Sequence, residues 1–509
     1  MPRFQRLDTT TARLVPLLRM VIVILSFCSQ LYGPDSKADD APADIPEEKQ
    51  LVIQSVVDRE TETWDKALSI WKWAEPGYQE VQSSKLLADW LEANGFDVKR
   101  GVAGMPTAFV ASVGDQPPVI GILGEFDALP GLSQAATPER QPIEGQEYGQ
   151  GCGHHLFGAA SASAAIAIAE QIKSGKLKGT VRFYGCPAEE GGSGKVFMVR
   201  AGLFEDCSAV LHWHPSHANA AGDRSTMARM AVRFRFRGTA AHASMSPDQG
   251  RSALDAVELM NYAVQLLREH VPQFTRIHYI ITDGGNAPNI VPERAEVYYY
   301  VRHPESEKLI STYRRVLRCA QAAALATDTE LEVHYEGGIV ELLPNDVLMN
   351  VTRENLQQLN DMHYDDDEIQ FALKIQDTLD EKPPLNQFEQ VIDLNGEIGR
   401  GSTDVGDVSW VVPTAGFNTA CWVAGTPPHS WQAVAAGGMS IGKKGMQLAA
   451  KVLAASAWDM LTHPEVIDQA NAEFKDRLGK RAYQTLMQAD QRPPLDYRKK
   501  KSFAGTDPN

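Results

Sequence analysis

The chain is predicted to be α/β, with a mostly parallel sheet wound with helices and a smaller ferredoxin-like α+β module inserted into it. Between residues 49 and 224, helical and strand patterns alternate, as a parallel sheet with helical crossovers requires. From 225 to 340 the order becomes β-α-β-β-α-β, that of a ferredoxin-like sandwich. From 341 to 480 a helical excursion leads back to loops rich in Gly, Ser, Asp and His and then to a helical end, so the second module interrupts the first. Residues 1–48 read as a signal-like segment and linker, and 481–509 as a C-terminal tail.

Leu86, Leu87, Trp90 and Leu91 mark an amphipathic helix closed by Asn94-Gly95. Val119-Ile120-Gly121-Ile122-Leu123 is a short apolar strand running into Gly124-Glu125-Phe126-Asp127. The Ala-rich stretch from Phe157 to Ile172 is helical and stops at Gly175, and strands are expected at Val181 to Tyr184 and Ala209 to Leu211. In the inserted module, Val232 to Arg237 alternates strictly between apolar and basic residues, the mark of a strand with one wet face. A helix from about Ala253 to His270, strands near Ile277 and Glu296, a helix from Glu307 to Ala326 and a strand from Glu330 follow. In an open α/β sheet, functional groups gather beyond the carboxyl ends of the strands. Glu125, Asp127, Glu189, Glu190, His212 and His214 are all expected there.

A length of 509 residues implies two domains, and 22% charged with 43% hydrophobic residues describes a soluble globular chain. A formal net charge of −16 argues against a nucleic-acid partner, and the run Arg498-Lys499-Lys500-Lys501 reads as a solvated tail. Arg3, Arg6, Arg13 and Arg19 precede the apolar run Met20 to Leu25 and a polar, acidic stretch, the order of a secretory signal. That run is short of the ~20 residues a membrane span needs, so no stable span is expected in the mature chain. The protein is expected to be periplasmic or extracellular if the segment is cleaved, and cytoplasmic otherwise. Five cysteines remain after Cys28, widely spaced and odd in number, which is no disulfide framework.

Chemistry concentrates in a few motifs. Gly151-Cys152-Gly153-His154-His155 puts a thiol and an imidazole two residues apart between glycines. Glu189-Glu190, His212-Trp213-His214 and Pro428-His429-Ser430 add carboxylates and further imidazoles. Soft sulfur, imidazole nitrogen and carboxylate oxygen form a donor set for zinc or another first-row divalent ion. Spread over almost three hundred positions, these residues read as a site assembled by a large fold rather than a compact finger.

These motifs resemble those of the two-domain metallohydrolases that include carboxypeptidases, aminoacylases and auxin-conjugate amidohydrolases. Within that family they resemble most the branch of p-aminobenzoyl-glutamate hydrolases. The stretch from Gly151 to Gly158, Pro187-Ala188-Glu189-Glu190-Gly191 and Leu211-His212-Trp213-His214-Pro215 carry the likeness. Gly238-Thr239-Ala240-Ala241-His242-Ala243, Gly284-Gly285-Asn286-Ala287-Pro288-Asn289 and Gly401-Ser402-Thr403-Asp404 extend it, so that it covers roughly residues 50–480. Many relatives have His-x-Asp where this chain has Glu125-Phe126-Asp127; the amidohydrolase branch similarly lacks that histidine and uses Cys-x-His.

The resemblance implies a catalytic domain with an inserted lid or dimerisation domain, and two divalent metal ions, zinc or manganese. It assigns Cys152, His154, Glu190 and His429 as metal ligands and Glu189 as general base. Of His212 and His214, one should bind metal, and register with the family favours His214. Asp127 and His155 are expected to support the ligands from behind. His242, in the inserted domain, would donate to the oxyanion, often across a dimer, while Asn289 and Arg302 would hold the substrate carboxylate. The implied activity is hydrolysis of the amide bond of a small N-acyl or N-aroyl amino acid, of the p-aminobenzoyl-glutamate kind. The implied assembly is a homodimer through the inserted domain, or pairing with a homologous partner. Competing readings are a dipeptidase or carboxypeptidase on short peptides, a non-catalytic metal-binding partner protein, and a thiol enzyme using Cys152 as nucleophile. Glu189 argues against the second, since a dead site has no use for a base.

Overall fold

The computed structural model describes residues 45–222 and 224–499, so the signal-like segment, apart from its last few residues, and Lys500-Lys501 lie outside the described residues. Three helices come first: α1 (Glu47–Asp58), α2 (Glu60–Trp73) and α3 (Val81–Ala93). α3 buries Leu87, Trp90 and Leu91, the stripe its spacing implied. Strands β1 (Asp97–Arg100), β2 (Phe109–Val113) and β3 (Val119–Glu125) follow, then a short ribbon of β4 (Leu129–Pro130) and β5 (Tyr148–Gly149). Next come α4 (His154–Lys173), β6 (Thr180–Cys186), α5 (Gly194–Arg200), β7 (Ala209–Ser216) and β8 (Asn219–Ala221). Every residue of β3 is buried, as a central strand covered on both faces must be. α4 is buried along its whole length from His154 to Ala169, which is why its sequence is apolar all round.

The inserted module is β9 (Ala228–Arg237), α6 (Ala253–Leu267), β10 (Arg276–Asp283), β11 (Arg294–His303), α7 (Ser306–Thr327) and β12 (Glu330–Ile339). Its sheet is antiparallel in the order β10-β11-β9-β12. Val232, Phe234 and Phe236 face a core shared with Val297, Tyr299 and Val301 of β11 and Val257, Met260 and Val264 of α6. On the wet face Arg233 and Arg235 pair with Glu296 at 2.7 and 2.5 Å. Such pairs contribute about 0–1 kcal/mol each, so apolar burial holds the module together.

The chain then returns through α8 (Asp346–Leu359), α9 (Asp366–Asp377), β13 (Val391–Asp393), α10 (Val405–Ser409), β14 (Thr414–Ala420), α11 (Trp431–Gly437), α12 (Ser440–Thr462) and α13 (Pro464–Leu478). The acidic run at Asp365 is a helix start: Asp365 and Glu368 form a reciprocal capping box on α9. Among the described residues the large sheet has eight strands, in the order β1-β2-β6-β3-β7-β14-β8-β13. Its central strands β6, β3, β7 and β14 run parallel. The antiparallel pairs are β1–β2, β2–β6 and β14–β8.

Two expectations need correction. β7 does not end at Leu211 but runs on to Ser216, so His212 and His214 lie on the strand itself. Pairing with β14, where Gly416 faces His212 and Asn418 faces His214, extends the ladder. Gly416 is required there, because a Cβ would collide with the His212 ring. The basic end of the chain is also not a solvated tail throughout. Arg498 is half-buried and donates to the Glu190 carbonyl at 2.7 Å, since that loop offers a carbonyl with no helix or sheet partner. Among the described residues the five cysteines are all free, and no helix is long and apolar enough to cross a membrane.

Candidate metal centre

The carboxyl ends of β3, β6 and β7 and the loop after β14 converge on the start of α4. Gly153 stands immediately before that helix at φ 76°, and a Cβ on it would press into Pro215 at 2.7 Å. Cys152 and His154 thereby flank a tight turn that only glycine makes without strain.

Donor atoms of Cys152, His154 and His214 all lie within 4.8 Å of one another, as do those of Cys152, Glu190 and His429. Cys152 Sγ is 3.4 Å from His214 Nε2, and His429 Nε2 is 3.0 Å from Glu190 Oε1. The five expected ligands are therefore brought together as two triplets sharing one thiol. A third set, Glu125, His154 and Glu189, meets the same distance criterion. His212 lies in none of them; its ring rests over Gly416, and burial together with His214 pushes its pKa down to about 3.

Asp127 stands behind two of the donors. Its Oδ1 accepts from His154 Nδ1 at 2.8 Å and its Oδ2 accepts from the Glu190 amide at 3.0 Å. His155, expected beside it as a support, instead turns its buried ring away from the donors and donates from Nε2 to the Gly437 carbonyl at 2.9 Å. Successive helical residues point about 100° apart, so His154 and His155 cannot both face the donors.

His242 and Asn289 are exposed on neighbouring loops of the inserted module, tied by the bond from Ala243 N–H to Asn289 O at 3.0 Å. Neither is in a donor set of its own chain. Arg302 donates to Ser402 Oγ at 3.2 Å and lines a cleft of about 580 Å3 with Arg276, His278 and Arg400. Among the described residues no carboxylate pairs with Arg276, Arg302 or Arg400.

Two buried groups, Lys195 and Glu80, lie outside the sequence motifs, and Asp404 lies in one that assigned it no role. Lys195 Nζ sits 2.6 Å from Glu125 Oε1 and 2.7 Å from Asp404 Oδ1, all three fully buried. With His154 Nε2 3.0 Å from Glu125 Oε2, this makes a continuous chain from Asp127 through His154, Glu125 and Lys195 to Asp404. Glu80 accepts from Ala188 N–H at 2.8 Å and Thr107 Oγ1 at 3.0 Å, and burial beside Asp127 raises its pKa to about 8. A lysine inside the apolar run Gly194 to Met198 was the one signal available in the sequence.

The adjacent glutamates are driven apart electrostatically. Burial, then Glu125, Glu190 and Asp404, push Glu189 well above the usual carboxylate range. Burial also opposes ionisation of Glu190, but the bond and charge of His429 outweigh it and hold Glu190 at about 2. Burial and Glu190 raise the Cys152 thiol, so a nearby cation is what would favour its thiolate. Glu125 Oε2, His154 Nε2 and Glu190 Oε1 are buried and meet only one another or His429, in ion-pair contacts at 3.0 Å that lack hydrogen-bond geometry. Orphaned atoms of that kind, two carboxylate oxygens and an imidazole nitrogen beside a thiol, fit divalent metal ions.

Two donor triplets at the carboxyl ends of parallel strands, with a further buried carboxyl beside them, define a metal-dependent amidohydrolase. Residues 224–327, most of the inserted module, match the family model described as peptidase dimerisation domain. Over 439 residues the chain is 40% identical to one of the subunits of p-aminobenzoyl-glutamate hydrolase of Escherichia coli (strain K12), covering 81% of this chain and 91% of that protein. It is 30% identical to the Xaa-Arg dipeptidase of Mus musculus, covering 81% and 88%. The fold is similar to that of the YXEP protein of Bacillus subtilis, a dinuclear metal binding peptidase from the M20 family. That similarity has a TM-score of 0.50 at 18% identity and covers 78% of this chain and 99% of that one. The chain belongs to the M20 family of metal-dependent hydrolases, together with its p-aminobenzoyl-glutamate hydrolase relative.

Proposed function

We propose that the protein hydrolyses the amide bond of an N-acyl or N-aroyl amino acid, with an acidic amino acid such as glutamate on the amine side. The observation that carries this reading is the pair of donor triplets sharing Cys152 with Glu189 beside them. Bound zinc or manganese would supply an acidified water and an electrophile for the amide carbonyl. Glu189 takes the proton from the attacking water and returns it to the leaving nitrogen. Cys152, His154, Glu190, His214 and His429 hold the ions, and Asp127 fixes His154 and the Glu190 backbone. His242 from a second copy of the chain donates to the oxyanion, with Asn289 beside it.

Substrate class follows from two cavities. One, of about 150 Å3, is lined by Phe157, Leu342, Met349 and Phe417 beside His214, and suits an acyl or aryl group. The other is the arginine cleft around Arg302, whose planar forks match carboxylates. A dipeptidase is the second reading, supported by the Xaa-Arg dipeptidase relative. The unpaired arginines oppose a cationic side chain and favour the acidic one. The protein works as a homodimer through the inserted module, and the positive-apolar-polar order of residues 1–48 directs it to export. N-terminal sequencing of the mature chain tests the last point.

A panel of N-acyl amino acids and dipeptides, p-aminobenzoyl-glutamate included, assayed with zinc- or manganese-loaded protein, tests the activity. Turnover of acyl- or aroyl-glutamates above neutral and basic dipeptides is expected. A preference for Xaa-Arg peptides would overturn the substrate class. Activity that survives chelation would overturn the metal chemistry.

A further inference from the structure

We propose that residues 485–498 form a strap that completes the metal centre, with Arg498 and Tyr497 as positioning residues that hold Glu190. This rests on the metal-ligand reading above but not on any substrate.

The loop from Pro187 to Gly194 carries Glu189 and Glu190, and its own backbone closes only two bonds, from Gly191 N–H to Glu189 O at 2.6 Å and from Gly192 N–H to Ala188 O at 3.0 Å. Ala188 and Ser193, near its two ends, both lie in the left-handed region at φ 56°, where side-chain-bearing residues are strained. Neither internal bond uses the Glu190 amide or carbonyl, which are held from outside the loop. Asp127 takes the Glu190 amide, while Arg498 Nη2 and the Tyr497 hydroxyl donate to the Glu190 carbonyl at 2.7 and 3.3 Å. The peptide groups on both sides of the ligand are thus pinned, one by a carboxylate and one by the strap. Tyr78 donates to the Gly192 carbonyl at 2.7 Å, and the Tyr497 ring covers it edge-on at 5.8 Å. Gly77 is the residue that lets the strap in this close: a Cβ there would collide with the Tyr497 hydroxyl.

The strap is anchored along its length. Gln79 Nε2 donates to Leu495 O at 2.8 Å, and Arg200 donates to Ala489 O and Gln491 O at 2.6 and 2.9 Å. Gln491 in turn donates to Tyr335 O and Glu336 O on β12, at 3.3 and 3.1 Å. The same segment therefore touches the inserted module and the metal-ligand loop. The inference is that Glu190 owes its aim to the C-terminus, some three hundred residues away in sequence.

The test uses full-length Arg498→Met, Arg498→Lys and Tyr497→Phe. Metal affinity is read by competition with a chromogenic chelator, kcat and KM at saturating metal, and unfolding temperature on metal-free protein. Arg498→Met is expected to weaken binding of at least one ion about 10–100-fold, the range for lost ligand support, with kcat falling and KM nearly unchanged. Arg498→Lys should recover most of the affinity, because the ammonium still donates to the carbonyl. Tyr497→Phe keeps the ring packing and should cost a few-fold; if Arg498→Met does not fold, this variant and Arg498→Lys decide. Wild-type metal affinity in these variants, or affinity lost only in proportion to metal-free unfolding, would overturn the proposal. A chain that turned over no amide at all would still report on the strap through the chelator titration.

Discussion

Glu189 and Glu190 are neighbours in the chain yet shift in opposite directions, because burial and the like charges of Glu125, Glu190 and Asp404 outweigh His154 at Glu189, while His429 outweighs burial at Glu190. That division makes Glu189→Gln the sharpest single test of mechanism. The amide is isosteric and leaves both donor triplets intact, so metal content should be unchanged while kcat drops at least about 100-fold. Near wild-type turnover in metal-replete protein would remove Glu189 from the base role. Asp127→Ala cuts one level further back. It frees the His154 ring and the Glu190 amide together, and about a 10–100-fold loss of metal affinity is expected by chelator competition. The donors themselves could be read from sequence, since Cys-x-His, paired glutamates and late histidines are uncommon together. The roles of Asp404, quoted only as part of a motif, and of Glu80 could not. Both residues act through Lys195 and the backbone of Ala188, partners more than a hundred residues away, and no local pattern announces such contacts.

At the scale of elements, α5 is held against β3 and α10 by the buried charges of Lys195, Glu125 and Asp404. Lys195→Met leaves Asp404 buried without its counter-charge and Glu125 with His154 alone, which costs about 3–5 kcal/mol. The metal-free protein should melt well below wild type, and an unchanged melting curve would mean that water reaches the cluster. α10 offers a second, pH-dependent test. Asp407 accepts from Tyr483 Oη at 2.7 Å and Val340 N–H at 3.2 Å, and burial still lifts its pKa from 3.8 to about 8. The folded chain therefore holds a proton that the unfolded chain gives up. The stability this contributes is complete below about pH 4 and is lost as pH rises through about 8. Between pH 5 and 8, wild type should lose ground to Asp407→Asn by about 1.4 kcal/mol per pH unit. Parallel denaturation profiles for the two proteins would place the proton elsewhere. Helices and strands with a strong period were legible in the sequence, including the inserted β-α-β-β-α-β order. The extension of β7 and the strap were not, because a distant ladder and a distant loop define them rather than hydrophobic spacing.

Over the whole molecule, the metal centre and His242 belong to different modules, and His242 is exposed on its own chain. The inserted module also ends in an open edge strand, β10, with Ile280 61% exposed, and α6 beside it shows Tyr262 at 65%. An unpaired edge with apolar side chains on show is a surface that natural proteins cover. A second copy placed there in two-fold fashion would cover both edges at once. Ile280→Lys should therefore shift the protein to monomers in sedimentation and lower turnover without removing metal. A sharper experiment mixes two inactive variants, His242→Ala and Glu189→Gln, under conditions that exchange protomers. If His242 serves the neighbouring chain, each mixed dimer contains one site with both groups intact and one with neither. Random pairing at equal amounts makes half of the dimers mixed, so activity should return to about one quarter of wild type. If His242 serves its own chain, every site keeps a lesion and mixing restores nothing.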